Sequence, residues 1–488
     1  MNIRKNLKLN TILNFIKTCS SIIFPLITYP YVLRVLLPEN VGKVNFAHSI
    51  VSYFSLIATL GIQSYAIREC SKVRENRQML DDTASQIFSI NIWTTLLSYI
   101  LLFLTIIFIP SLSNYKLLII IASSTILLST LGADWINVAM EDFVYITVRT
   151  LFFQVLSLIL MFVFVKEAED YIKYLLISVV ASSGANLSNI IYRRKFCKTK
   201  LLFNSIEWKK HITPIIVMFV MIFSQTVFSS ADITMLGLIN GDYSVGIYST
   251  ASKIERLISQ VVSSIVLVLI PRLSYLFSTK DYDLINEMLR KVLGIILILG
   301  LPIFAGAFSI ADDIIYIIAG DKFIDAIIVF RILLFSFLFS LIGGSFLGNI
   351  VFLPSGNEFK YMVICCVTCI VNVISNYFLI PHFSYYAAAG TTAFCSFLIM
   401  ILLYVTVDKR IRIHGKFNIC FGPGIGSVLI GVLCFIIKSL ISSLYIRVII
   451  SVVLSCLLYC VVLILTKNVY FIEMIKNIWQ RVNNGTKK

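Results

Sequence analysis

The 488-residue chain is 58% hydrophobic and only 14% charged, with a mean hydropathy of +0.92. A water-soluble chain of this length cannot bury so much apolar side chain, so composition excludes a soluble globular protein and reads as a polytopic membrane protein. The net charge of +16, from 41 Lys and Arg against 25 Asp and Glu, is accounted for by membrane loops, and no nucleic-acid partner is expected.

About 20 apolar residues are needed to cross a hydrocarbon core. Between charged, Pro, Gly and Asn breaks, fourteen such segments follow in chain order. They lie near 10–37, 41–67, 83–110, 115–139, 143–165, 172–192, 212–239, 243–272, 289–311, 325–353, 359–381, 385–407, 419–440 and 446–466. Arg4, Lys5 and Lys8 precede the first segment as they would a signal peptide. That segment is too long for one and no small-residue cleavage site follows, so it reads as a retained helix.

Loop charges test the count. With a cytoplasmic N-terminus, segments on that side carry 28 Lys and Arg, against six outside: Lys116, Lys166, Lys173, Lys322, Lys438 and Arg447. The asymmetry fits the positive-inside rule with both termini in the cytoplasm. The run "RRKFCKTK" (193–200) is then a cytoplasmic loop meeting anionic lipid. The longest loops, such as 193–211 and 273–288, are too short for a folded domain, which weighs against a membrane glycosyltransferase or polymerase.

With the cations at segment ends counted in the loop totals above, seven remain as intramembrane: Lys17, Arg34, Lys43, Arg149, Lys253, Arg256 and Arg331. Each costs roughly 2.5–3.5 kcal/mol at a helix centre on insertion scales, so each needs a cavity or a partner. Several lie on polar stripes whose steps of three and four put them on one helix face. Span 1 has Asn10, Asn14, Lys17, Ser21, Pro25 and Thr28; span 2 has Asn45, His48, Ser49, Ser52, Ser55 and Thr59. Span 7 has Gln225, Ser229 and Asp232; span 8 has Ser249, Ser252, Lys253, Arg256, Ser259, Gln260 and Ser263. Lys253 and Arg256 are about 60° apart around the helix, while Glu255 points about 100° away from Arg256. Two readings are open: internal pairing that only holds helices together, or a hydrated positive cavity, which four stripes with several unmatched cations favour. Among the carboxylates, Asp134, Asp232 and Glu255 are candidates for static salt bridges or for proton or sodium coupling. His48 reads as a hydrogen-bonded bystander.

Eleven cysteines, mostly in apolar spans, read as small packing residues, including the CxxC pair Cys366 and Cys369, which has no second pair or His nearby. The glycines of "GGSFLG" (343–348) and "FGPGIG" (421–426) lack the Lys-Ser/Thr of a phosphate loop and read as helix packing or hinges. No metal or nucleophile constellation stands out.

"LLPENVGKVNFA" (36–47), between spans 1 and 2, resembles "LINGDYSVGIYSTA" (238–251), between spans 7 and 8. "AMEDFVY" (139–145), after span 4, resembles "SGNEFKY" (355–361), after span 10. Both offsets are six spans. An even number gives two halves of the same orientation, related by an axis along the membrane normal, with a substrate path expected between them.

The N-terminal "ILNFIKTCSSIIFPLITYPYVLRVLLPENVGKVNFAHSIVSYFSLIATLGIQSYAIRE" (12–69) resembles the start of the O-antigen flippases. These are polysaccharide transporters within the multidrug/oligosaccharidyl-lipid/polysaccharide exporter superfamily. "DWINVAMEDFVYITVRT" (134–150) resembles the family's Asp-Trp, Glu, aromatic and Arg pattern, with Ala139-Met140 where the family has Gln-Gly. The resemblance implies an all-α polytopic membrane protein of about 14 transmembrane helices. Two six-helix bundles related by a pseudo-twofold (1–210 and 211–418) would be followed by two further helices and a tail (419–488). It implies a non-enzymatic flippase in the bacterial inner membrane, moving an oligosaccharide repeat on undecaprenyl diphosphate to the periplasmic leaflet by alternating access. No cofactor is expected beyond coupling to protons or sodium. The partners implied are the lipid-linked oligosaccharide, membrane lipids, and the polymerase and chain-length components of the same pathway. Lys17, Arg34, Lys253 and Arg256 are the expected diphosphate ligands, with Arg149 and Arg331 as further candidates; Arg34 and Arg331 would act near the outer end. Charge-assisted hydrogen bonds from Arg and Lys suit a diphosphate. A drug/cation antiporter would favour an acidic cavity, and an O-antigen polymerase would carry a sizeable outer loop. A flippase for the peptidoglycan lipid precursor stays open.

Overall fold

A computed structural model of the chain describes residues 7–203, 206–267, 269–411, 418–473 and 476, with the side chains of some helical residues, Asn10 and Asn14 among them, outside the described set. Among the described residues all extended regular structure is helical. The α-helices are α1 (Leu7–Thr59), α2 (Ile62–Val73), α3 (Arg77–Phe108), α4 (Lys116–Gly132), α5 (Trp135–Ala139), α6 (Phe143–Phe164), α7 (Tyr171–Tyr192) and α8 (Trp208–Ile239). They continue with α9 (Asp242–Leu267), α10 (Ile270–Thr279), α11 (Tyr282–Ser309), α12 (Ala311–Ala319), α13 (Ala326–Ser340), α14 (Glu358–Thr406), α15 (Asn418–Leu440) and α16 (Leu444–Leu465). A π-helical stretch, Leu341–Phe352, prolongs α13. Eleven stretches among the described residues are long and apolar enough to cross a membrane. The protein is an all-α, multi-pass membrane protein.

The breaks between helices have local causes. α1 and α14 are each two helices merged across one non-helical residue, Leu37 (φ 64°) and Ser384 (φ 49°). Leu37 precedes Pro38, whose ring disfavours the α region for the residue before it and whose fixed φ suits the first turn of the next helix. α9 is described as far as Leu267, and α10 runs from Ile270 with Pro271 in its first turn.

The chain forms two compact units, Met1–Ser249 and Thr250–Lys488, so that the division falls inside α9. In the first unit α1 packs on α3, α4, α6 and α8, and α4 packs on α7. Tyr31 and Asn40 of α1 donate to the carbonyls of Val165 (2.6 Å) and Ala168 (2.7 Å), fixing the α6–α7 turn. In the second unit α13 and the π-helical stretch pack on α14, while α11 packs on α15 and α15 on α16. Two of the "FGPGIG" glycines of α15 are packing positions: a Cβ at Gly422 would lie 2.6 Å from Thr466 Oγ1 and one at Gly426 2.6 Å from the Tyr459 ring of α16, whereas one at Gly424 meets nothing within 4 Å.

The segment after α7 is fastened along α3. Backbone N–H groups of Lys198, Lys200 and Leu202 donate to Asp81 Oδ1 (2.8 Å), Ser85 Oγ (3.0 Å) and Ser89 Oγ (2.8 Å). The acceptors step by four along a helix and the donors by two along an extended chain. Four residues of helix rise about 6 Å and two of extended chain about 6.6 Å, so the two lattices match. The zipper ends at His211, whose Nδ1 faces Tyr65 Oη (2.7 Å) and whose Nε2 faces Gln86 Oε1 (3.0 Å).

The first internal repeat is present in the backbone. An offset of 204 residues carries Leu37, Pro38, Gly42 and Asn45 onto Gly241, Asp242, Gly246 and Ser249. Leu37 and Gly241 both have positive φ (64° and 84°), and each starts a helix at the next residue. Segments 38–45 and 242–249 cross so closely that a Cβ at Gly42 would overlap the Asp242 carbonyl, and one at Gly246 the Pro38 carbonyl. The contact is reciprocal, Gly42 on Asp242 and their counterparts Gly246 on Pro38, as in a two-fold interface. At its centre Asn45 Nδ2 donates to the Oγ of its own counterpart, Ser249, at 2.8 Å.

Gly42→Ala and Gly246→Ala force main chain from main chain and should each lower stability by at least ~1–3 kcal/mol, the usual cost of overpacking. Gly390→Ala, which meets nothing within 4 Å, should leave it level or raise it by ~0.5–1 kcal/mol; thermal unfolding in detergent checks both. His211 has its pKa lowered from 6.5, chiefly by burial and then by Lys210. The unfolded chain therefore takes up a proton that the folded one resists. Stability should be full above about pH 6.5 and fall as pH drops below it; a His211→Gln chain should show a flatter melting-temperature profile between about pH 7.5 and 5.

Candidate functional site

The four polar stripes behave differently once folded. On span 1 the hydroxyls turn back to their own helix: Ser21 Oγ donates to the Thr18 carbonyl (2.7 Å) and Thr28 Oγ1 to that of Phe24 (3.0 Å). Such back-bonding satisfies a hydroxyl locally. Lys17, half-exposed on the same helix, has no ion pair among the described residues. Arg34 is exposed, three residues before the break at Leu37.

The span 2 stripe is a seam between helices, the internal-pairing alternative. Ser52 donates to Ser230 Oγ (3.1 Å), Thr234 to Ser49 Oγ (3.0 Å), and Tyr53 Oη lies 3.1 Å from Thr234 Oγ1. Together with Asn45–Ser249 these bonds tie α1 to α8 and to the start of α9. In an apolar solvent, hydroxyls and amides on facing helices serve as glue. His48 faces Ser178 Oγ at 3.3 Å. Lys43 donates to Asn40 Oδ1 (3.0 Å) and lies 5.0 Å from the Tyr171 ring centroid.

On α8 the stripe splits. Asp232 is 2% exposed and accepts a short hydrogen bond from Tyr248 Oη, whereas Gln225 and Ser229 are exposed. Along α9, Ser249 is anchored to Asn45, and further on Ser263 meets Ser345 Oγ (3.1 Å). Between these anchored hydroxyls lie Lys253 and Glu255, both half-buried, and Arg256, which is exposed, as is Gln260. Neither Glu255 nor Arg256 is ion-paired within 4.0 Å among the described residues. α9, which carries Lys253, Glu255 and Arg256 in its middle, is not among the eleven stretches apolar enough to cross a membrane; in a helix that does cross, an exposed guanidinium requires water or an anion beside it.

The two remaining arginines are engaged by carboxylates. Arg149, 7% exposed, makes a short bond to Asp134 Oδ1 and donates to the Ala185 carbonyl (3.2 Å), with its guanidinium 5.2 Å from the Tyr145 ring centroid. Asp134 also accepts from Asn189 Nδ2 (3.3 Å), which ties α7 into the network. In the second unit Arg331 lies 3.6 Å from Asp312 Oδ1 and 5.7 Å from the Phe308 ring. Asp312 also binds Lys438, and the adjacent Asp313 takes Arg447 in a two-point pair. These bonds join α12 to α15 and to the start of α16.

Thus the structure brings Asp134 and Arg149 together, gives Asp232 a phenol, and supplies Arg331 with a carboxylate absent from the expected set. Asp312 and Asp313 are missed because the span boundary read at residue 311 puts them in a loop; of their partners, Arg331 is a candidate already, and Lys438 and Arg447 count only as outer-side charges. Two adjacent acids opening an apolar run were the available signal.

Residues 7–277, more than half of the chain, match the family described as polysaccharide biosynthesis protein. A protein of Escherichia coli (strain K12) named as an O-antigen transporter is 24% identical over 358 residues, covering 68% of this chain and 80% of that one. The capsular polysaccharide biosynthesis protein CapF of Staphylococcus aureus is 25% identical over 383 residues, covering 76% and 92%. Among solved structures, the lipid II flippase MurJ in an inward closed conformation superposes with a TM-score of 0.73 at 14% identity, over 96% of this chain and 99% of that one. An inward-facing multidrug resistance MATE transporter of the MOP superfamily gives 0.58 at 12% identity, over 79% and 96%. The fold is that of these transporters, and by the match over residues 7–277 the chain belongs to the polysaccharide biosynthesis protein family.

Proposed function

We propose that the chain is a flippase that moves undecaprenyl-diphosphate-linked oligosaccharide repeat units from the cytoplasmic to the periplasmic leaflet by alternating access. It would do so without covalent chemistry, in the bacterial inner membrane, with both termini in the cytoplasm. The observation that carries the reading is Arg256, exposed midway along α9 one helical turn from Lys253 and without an ion-pair partner among the described residues. With α9 crossing the bilayer as span 8 of this reading, an exposed charge there costs ~2.5–3.5 kcal/mol against lipid, which an anionic cargo or the water around it would offset. The relatives' names point to surface polysaccharide, and MurJ's to a lipid-linked cargo.

In this reading Lys253 and Arg256, with Lys17 and Arg34, bind the diphosphate through charge-assisted hydrogen bonds. Arg149 and Arg331 reach the same anion only by giving up Asp134 and Asp312, which reserves them for another stage of the cycle. Asp134 and Asp232 are engaged by Arg149 and Tyr248, so Glu255 is the carboxylate we assign to proton or sodium coupling. Polymerase and chain-length components would act on the delivered unit.

Lys253→Ala and Arg256→Ala should each weaken cargo binding roughly 10- to 100-fold, the worth of a hydrogen bond to a charged group. Surface polysaccharide should fall while the protein inserts at normal levels, and full activity in both variants would sink the α9 assignment. In a deletion strain, mass spectrometry of extracted lipids should find single repeat units accumulating on the inner leaflet, with no surface polymer on gels. Repeat units that reach the periplasm and stay unpolymerised would instead identify a polymerase.

A further inference from the structure

The corner where α10 meets α11 and the π-helical stretch meets α14 encloses a cavity of about 400 Å³ within the second unit. Three cations line it: Lys280, Lys360 and Arg410. The one carboxylate in the lining, Asp408, is committed to Arg410, through Nε to Oδ1 (3.1 Å) and Nη2 to Oδ2 (2.6 Å). Arg410 is held in turn over the Tyr282 ring, 4.7 Å from its centroid, and its carbonyl accepts from buried Asn286 (3.2 Å). The bonds from Arg410 hold the Asp408 carboxyl down at about 2, so it stays ionised. Asp281, beside Lys280, is occupied capping α11 through the Leu284 N–H (3.2 Å). Lys280 and Lys360 are exposed and have no ion pair among the described residues.

The matching corner of the first unit shows what is missing. There Arg74, which caps the C-terminus of α2 as Lys280 caps that of α10, binds Glu141 at 2.5 Å. Glu141 has positive φ (55°) and stands one residue before the N-cap of α6. In the second unit that place, one residue before the N-cap Asn357 of α14, belongs to Gly356 (φ 74°). Among the described residues no carboxylate reaches across to Lys280, and the corner is open where its counterpart is closed. The backbone match runs one residue off the "EDF"/"NEF" alignment of the sequence repeat, which would have set Asn357 against Glu141.

The cavity is amphiphilic. Phe277, Val351, Phe352 and Val407 form an apolar wall beside the cations, and the N-termini of two long helices, α11 and α14, begin at its rim with their favourable dipole ends. A small inorganic anion would use the charge and leave the apolar wall wet; a phosphodiester carrying glycerol and acyl carbons uses both. We propose that this corner binds the phosphate headgroup of an anionic phospholipid, with Lys280 and Lys360 as its charged ligands. This assignment is independent of the cargo proposed above.

Native mass spectrometry of the purified full-length chain tests it, with phosphatidylglycerol and phosphatidylcholine offered in parallel. Phosphatidylglycerol should be retained in preference. Lys280→Gln and Lys360→Gln should each weaken it about fivefold, the ordinary worth of one basic side chain at an anionic lipid surface. Asp408→Asn, which frees Arg410, should tighten it, an opposite sign that loss of folding cannot produce. Equal retention of the two lipids, unchanged binding in the double lysine variant, or weaker binding in Asp408→Asn would overturn the proposal. Displacement of phosphatidylglycerol by inorganic phosphate alone would mark a small-anion site and overturn the lipid assignment.

Discussion

A hydroxyl, amide or charge placed at the level of hydrocarbon has no water to turn to, so its partner must come from the protein or from a ligand. Most of the polar groups described here obey that constraint by one of three routes. Serines and threonines on span 1 return to their own helix. Those on span 2 cross to α8 and to the start of α9. Arg149 and Arg331 find carboxylates on other helices. The helices of each unit are held together where these bonds fall, because apolar contact between two helices gains little over contact with lipid tails.

The two proposals rest on groups for which none of these routes is taken. On α9 the hydroxyls of Ser249 and Ser263 are tied to neighbours, while Arg256 between them is exposed. Anchored ends with a charged middle form a helix whose polar face is fixed in place but not used up by packing. At the corner of α10, α11 and α14 the same logic applies at a helix end, where two lysines stand without the acid that closes the equivalent corner of the first unit.

Much of the architecture was legible because it is written in residue types with one dominant reading. Pro38 placed the break in α1, and the gap read between 381 and 385 contains the non-helical Ser384 of α14. The kinship of 36–47 with 238–251 is seen in matching positive φ at Leu37 and Gly241 and in matching glycines that lie against matching backbone, Gly42 on Asp242 and Gly246 on Pro38. The facing of each stripe was not legible. In a soluble helix a polar stripe points to water, but a membrane helix is apolar outward as well as inward, so Ser49 and Ser52 carry the same pattern whether they line a cavity or seal a seam. Ion pairing was hidden for another reason. Asp134 and Arg149 lie 15 residues apart, on either side of the turn between α5 and α6, and Asp312 meets Lys438 across 126 residues; no local spacing announces either pair. The docking of 198–202 along α3 was also out of sight, since the backbone, which carries no sequence signal, supplies the donors.

The hydrogen bond from Asn45 to Ser249 joins a residue to the one that stands in its own place 204 positions later. In a half-length ancestor that paired with itself, that position would have met an identical copy, and any substitution would have changed both sides at once. Fusion of two copies into one chain removes that restriction. An amide donor can face a hydroxyl acceptor, and a leucine forced to positive φ before a proline can be matched by an unstrained glycine before an aspartate. The glycines at 42 and 246 have not diverged, since each lies against main chain, which no substitution in the other copy can trim away. The crossing thus separates what a duplicated gene is free to vary from what geometry still holds in common.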